Sequence, residues 1–81
     1  MRVKVRLFAR LRDIAGRAEL DREVAAGATI AALWRDMVAE FPDLGSYDRS
    51  ISSALNLDYV RMDRVLSEGD EVAFLPPVSG G

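Results

Sequence analysis

The chain ends in Pro76-Pro77-Val78-Ser79-Gly80-Gly81, and the group best suited to chemistry is the α-carboxylate of Gly81. Two successive prolines hold their φ angles and cannot donate to a β-ladder, so they project the rest of the chain in an extended direction. Beyond them the last two positions carry no Cβ. A slim tail of this kind can thread a narrow channel in another protein, and its last carbonyl offers little steric resistance to a nucleotide or a nucleophile. A free carboxylate is a poor electrophile, so acyl chemistry at Gly81 requires a partner to convert it first to a mixed anhydride, with ATP the obvious source. The chain would then be a carrier and co-substrate, with the catalytic residues on its partners.

The other residue types offer little competition. Among 81 residues there is no cysteine and no histidine, which excludes a disulfide framework, a Cys/His zinc site, a thiol nucleophile and a Ser-His-Asp arrangement. Lys4 is the sole lysine, so a phosphate loop of the G-x-x-x-x-G-K type is excluded too, and no G-x-G-x-x-G is present. Carboxylates approach one another at Asp36/Glu40 and at Glu68/Asp70/Glu71, yet neither set has the apolar surroundings that would raise a pKa. These are read as a solvated helix face and a turn. Arg2, Lys4, Arg6, Arg10 and Arg12 with Phe8 imitate a nucleic-acid platform, but one aromatic is thin and the expected facing strand is acidic. With a formal charge of −2 overall, no nucleic-acid partner is expected, and neither is a bound cofactor or metal. No apolar run approaches the ~20 residues of a membrane span, and the first residues lack the apolar stretch of a signal peptide. The expectation is a cytoplasmic protein with no membrane partner, folded as a single domain over 1–81 with a flexible tail over 76–81.

A carrier tail needs a rigid body behind it. From Arg2 to Phe8 the residues alternate, with Val3, Val5 and Leu7 on one side and Arg2, Lys4, Arg6 and Phe8 on the other, which predicts a half-buried strand. A short helical turn over Leu11 to Ala15 and a reversal at Gly16-Arg17 lead to a second strand, Ala18 to Val24, with Leu20 and Val24 inward and Glu19, Asp21 and Glu23 outward. Thr29 is a candidate N-cap. Ile30, Leu33, Trp34, Met37, Val38 and Phe41 then form one apolar stripe of a helix that Pro42 stops, with Arg35, Asp36 and Glu40 on the far side. Asp43 to Ser50 is turn-like, with one short helical turn. Two short strands, Ile51 to Asn56 and Tyr59 to Met62, flank an Asn-Leu-Asp turn, and Glu71 to Leu75 is the last strand. One helix across a mixed sheet of four to five strands, with the first and last strands parallel in its centre, is the α+β arrangement called β-grasp, or ubiquitin-like, here with an extended C-terminal tail.

The opening VKVRLFARLRDIAG, the helix after Ala28-Thr29 and the ending LSEGDEVAFLPPVSGG resemble the small subunit of molybdopterin synthase, the sulfur carrier of molybdenum cofactor biosynthesis. The resemblance covers essentially the whole chain. It implies that a ubiquitin-activating-like adenylyltransferase uses ATP to adenylate Gly81 and that a sulfur donor then replaces AMP. The Gly81 thiocarboxylate would enter the large synthase subunit, in a heterotetramer, and pass sulfur to cyclic pyranopterin monophosphate. The family's functional residues map to Gly80 and Gly81, and Ser79 stands where alanine is frequent.

A carrier must also be gripped. Strand alternation places Phe8 and Leu75 on the outer sheet face, as neighbours if the first and last strands are parallel, and Tyr59 is a weaker candidate for the same patch. Pro76, Pro77, Val78 and Ser79 complete the expected partner contacts. The tail chemistry alone leaves open sulfur delivery to another acceptor, such as cysteine, thiazole or transfer-RNA thiolation. It also leaves open a ubiquitin-like modifier joined through Gly81 to target lysines, and a plain binding domain.

Overall fold

The alternation of the first residues becomes strand β1 (Arg2–Leu7), with Val3, Val5 and Leu7 buried. The computed structural model describes residues 1–77, so the expected extended tail from Val78 through Ser79 and Gly80 to Gly81 lies outside the described residues. Helix α1 (Ala9–Ala15) comes next, two residues longer at its start than the sequence suggested. It ends where Gly16 adopts φ 78°, a left-handed conformation glycine takes without penalty, and donates its N–H to the Arg12 carbonyl at 2.8 Å. Strand β2 (Glu19–Glu23) returns antiparallel to β1 in a register that sets Arg2 opposite Glu23, Lys4 opposite Asp21 and Arg6 opposite Glu19. Opposite charges therefore face each other along the outer side, as anticipated. Lys4 pairs with Glu19 at 3.1 Å and Arg2 with Glu23 at 3.5 Å.

Helix α2 (Ile30–Glu40) lies across the other face of the sheet. Its first N–H groups have no intrahelical partner, and each finds one elsewhere. Ala32 donates to the Thr29 hydroxyl at 3.2 Å, Ile30 to the Arg64 carbonyl at 3.0 Å and Ala31 to the Met62 carbonyl at 2.8 Å. Ile30, Leu33, Trp34 and Met37 are buried. Val38 and Phe41 are only half-buried: the helix closes at Glu40, and Phe41 turns away at its C-cap, which leaves its ring at the margin of the core. Pro42 opens a 3₁₀ turn (Pro42–Tyr47) that buries Leu44.

Strands β3 (Ser52–Leu55) and β4 (Asp58–Val60) form a hairpin that is tighter and shorter than expected. Asp58 belongs to the ladder, opposite Leu55, so the turn is the two-residue Asn56-Leu57, with φ 50° and 79°. This is the positive-φ pair of a type I′ hairpin, whose twist matches that of the strands. Met62 falls outside β4 because its carbonyl, with that of Arg64, caps α2.

Strand β5 (Glu71–Leu75) completes the sheet, in the order β2-β1-β5-β3-β4. It runs parallel to β1, with Val5 opposite Val72 and Leu7 opposite Phe74, and antiparallel to β3. These pairs put Val5, Leu7, Val72 and Phe74 under α2, where the Phe74 and Trp34 rings lie 4.9 Å apart at 56°. The Trp34 indole donates to Asp48 Oδ1 at 2.7 Å, which settles its one polar group. Five strands and one main helix make a β-grasp fold.

The two carboxylate sets lie on an exposed helix face and in a turn, as expected, and each also makes contacts that hold the fold. Arg22 stands opposite Val3, on the helix side of edge strand β2, and pairs with both Asp36 and Glu40. In the turn, Asp70 accepts from the Ser67 N–H at 2.7 Å and Glu68 from the Arg2 N–H at 3.1 Å. Both sets serve structure. Among the described residues no helix is long and apolar enough to cross a membrane.

Candidate docking face and tail exit

Because β1 and β5 are parallel, they finish at the same edge of the sheet, and that geometry joins the candidates. Phe8 follows the last residue of β1, Leu75 is the last of β5, and Pro76 and Pro77 leave from this corner, Pro76 half-buried and Pro77 exposed. The outer face is set by the residues that alternate with the core. Arg6 stands opposite Ala73, Ala73 opposite Ala54 and Ala54 opposite Tyr59, one row across four strands.

The row forms a shallow groove of about 180 Å³ lined by Arg6, Phe8, Ala54, Tyr59, Ala73 and Leu75, together with Leu57 and Glu71. Two alanines make its floor because they leave space between longer neighbours. Its rim is apolar and open to solvent: Leu57 is 85% exposed, Tyr59 74% and Phe8 37%. The Arg6 guanidinium sits 5.6 Å from the centre of the Phe8 ring and 3.9 Å from Glu71, which steadies one wall by cation–π attraction and by charge.

Phe8, Leu75 and Tyr59 are thus brought together as the sequence predicted. Gly80 and Gly81, with Val78 and Ser79, lie outside the described residues. Leu57, Ala54 and Ala73 were missed. The alternation of β5 already carried Ala73, whereas Leu57 became visible only when the turn proved to be two residues long.

Among the described residues no cluster of acidic side chains could hold a metal ion. The Lys4 ammonium is held above its ordinary value of 10.5, first by its hydrogen bond to Glu19 and then by that residue's charge, so it stays protonated and is not a base. A second hollow, between α1 and the 3₁₀ turn, is lined by Arg10, Ile14, Pro42, Asp43, Ser46 and Tyr47 and lies away from the groove.

Residues 5–81 match the ThiS family, a span that includes the terminal glycines. The chain is 41% identical to the molybdopterin synthase sulfur carrier subunit of Chlamydomonas reinhardtii, over the full length of both. Among solved structures it is similar to SAMP1, a small archaeal modifier protein, from Haloferax volcanii, with a TM-score of 0.87 at 30% identity and full coverage of both chains. It is also similar to a chain in the complex of subunits 1 and 2 of molybdopterin-converting factor from Helicobacter pylori, with a TM-score of 0.71 at 27% identity, again over both full chains.

Proposed function

The chain belongs to the ThiS family, and on that footing we propose that it is the sulfur carrier subunit of a molybdopterin synthase. The observation that carries this reading is the full-length match running through Gly81. In the proposed cycle a Gly81 carboxylate oxygen attacks the α-phosphorus of ATP on an adenylyltransferase, releasing pyrophosphate and leaving an acyl adenylate. A sulfide-level donor attacks the acyl carbon and expels AMP, which leaves a thiocarboxylate. On the large subunit its sulfur attacks a side-chain carbon of cyclic pyranopterin monophosphate and displaces an oxygen from it. In one transfer this is the ring phosphate oxygen, which opens the cyclic phosphate to a monoester, and in the other it is a hydroxyl lost as water. Water then cleaves the acyl–sulfur bond, leaving the sulfur on the pterin and restoring the carboxylate. Two carriers, one on each large subunit of a heterotetramer, supply the two sulfurs of the dithiolene.

In this cycle Gly80 and Gly81 pass through the partner's channel, with Pro76, Pro77, Val78 and Ser79 filling it behind them. Phe8, Leu75 and Tyr59 seat the body on the partner. ATP belongs to the activating enzyme, and this chain holds no cofactor of its own. Incubation with ATP, the activating enzyme and a sulfur donor should shift the C-terminal mass by the replacement of one oxygen with sulfur. A mass that never changes would sink the proposal. The likeness to SAMP1 favours a second reading, a modifier joined to lysines through Gly81, and an isopeptide product in the same incubation would establish it instead.

A further inference from the structure

Leu57 combines two properties that folding does not ask for. Its φ of 79° lies in the left-handed region, where an L side chain with a Cβ is disfavoured and where a type I′ turn most readily accepts glycine after asparagine. Its side chain is also 85% exposed, so the strain is not offset by packing within this chain. Asn56, the other positive-φ residue of the turn, has a clear internal role: its amide donates to Asp70 at 3.3 Å and its side-chain oxygen accepts from the Glu71 N–H at 3.0 Å. Leu57 has no such role.

What Leu57 does is line the groove, at the end away from Phe8 and the tail exit. From Leu75 to Gly81 is six residues, which span at most about 20 Å when extended. A partner that receives Gly81 must therefore lie close against this corner of the sheet, and the groove continues directly from it. The similar chain from H. pylori was solved in complex with its subunit 2, which commits the occupant to the large synthase subunit.

We propose that Leu57 is a specificity contact for the large subunit, an apolar side chain held out on a strained turn to enter an apolar socket on that partner. This rests on the sulfur-carrier reading. The turn fixes the backbone that carries the side chain before docking, so binding has only the side-chain rotamer left to order. Selection for folding alone would favour glycine, and leucine at this position is accounted for by a surface outside the chain.

The test separates folding from docking by one substitution. Leu57→Gly relieves the backbone and removes the side chain, so its melting temperature should equal or exceed that of the parent. Affinity for the purified large subunit, by calorimetry on the full chain, should fall about tenfold or more, as for a docking anchor. Leu57→Met should recover most of that loss. Sulfur loading of Gly81 by the activating enzyme should proceed at the parental rate. Unchanged affinity in Leu57→Gly overturns the proposal, as does a parallel loss of loading, which would make Leu57 a contact common to both partners. Failure of the parent chain to acquire sulfur at all would instead overturn the sulfur-carrier reading, and the affinity ratio of the variants would still be read independently.

Discussion

The two faces of the sheet are written by the same strands, one residue out of step, and they answer to different demands. On the inner face Val5, Leu7, Val72 and Phe74 are sealed beneath α2, with Trp34 against Phe74. On the outer face the alternate residues Arg6, Ala73 and Leu75, with Phe8, Ala54 and Tyr59, leave a groove whose rim meets solvent. The inner face gains free energy by burying apolar area within the chain. The outer face leaves apolar area unburied by the chain, the condition a docking surface requires. A carrier needs this separation, because its docking surface can then change without unfolding the body that presents the tail.

The sharpest way to break the comparison is at Phe74 and Leu75, adjacent in sequence and on opposite faces. Phe74→Ala should destabilise by about 3–5 kcal/mol, since it deletes a fully buried ring and leaves Trp34 facing a cavity. For a domain of this size that is a large share of the total, and urea denaturation would register it as a collapse of the midpoint. Leu75→Ala should cost about 1 kcal/mol or less while weakening association with the large subunit. Equal losses of stability in the two variants would mean that the outer face is part of the core.

These two faces were legible in sequence because both rest on short-range periods. Val3, Val5 and Leu7 alternate with charge, and Ile30, Leu33, Trp34 and Met37 repeat at helical spacing, so chain order alone assigns their sides. The features that escaped depend on distant or disfavoured partners. Alternation puts Arg22 on the inward side with Leu20 and Val24, but its acids, Asp36 and Glu40, lie on another element, and only the assembled fold brings them to it. Such an inward charge also discourages the free edge of β2 from pairing with another chain. The Met62 and Arg64 carbonyls that end the hairpin early do so to cap α2, a requirement written far upstream at Thr29 to Ala31. Leu57 was expected in a turn, but local preference argues against leucine at positive φ, so the two-residue form of that turn and the conformation of Leu57 were not legible. Of the candidate site, Phe8, Leu75 and Tyr59 could be placed by alternation, whereas Ala54 as a groove floor required the β3–β5 register.

A smaller effect sharpens what the inner face requires beyond burial. Trp34→Phe keeps an aromatic ring against Phe74 but removes the indole N–H that donates to Asp48 at 2.7 Å. Asp48 is exposed and can turn to water, so the loss should stay near about 1 kcal/mol, plus a modest term for the smaller ring. Thermal denaturation of Trp34→Phe beside Asp48→Ala would check this. The two substitutions should be far from additive, because they delete the same hydrogen bond. Strict additivity would show that the bond contributes nothing and that ring volume accounts for the whole effect.

The least effect is expected from charge on the outer side, at Lys4 and Glu19. Glu19 raises the Lys4 pKa through a hydrogen bond and then through its charge, slight desolvation opposes this, and Asp21 and Glu71 add to it. The folded value lies above the unfolded value of about 10.5, so the folded state holds this proton more tightly. The stabilisation is fully present below the unfolded value and disappears as pH rises through the folded one. Near neutral pH, stability should therefore be flat with respect to the Lys4 ammonium, whose own titration should affect stability only in alkaline solution. Glu19→Gln should bring the Lys4 titration back toward 10.5, read by NMR on the side chain of the chain's sole lysine, with no change in the neutral melting temperature beyond a degree or two. Added salt should produce part of the same shift in the parent, since the pair is solvent-exposed. A marked loss of stability at neutral pH in Glu19→Gln would contradict the division of labour, because it would make the charged outer hairpin a support of the fold comparable with the apolar inner face.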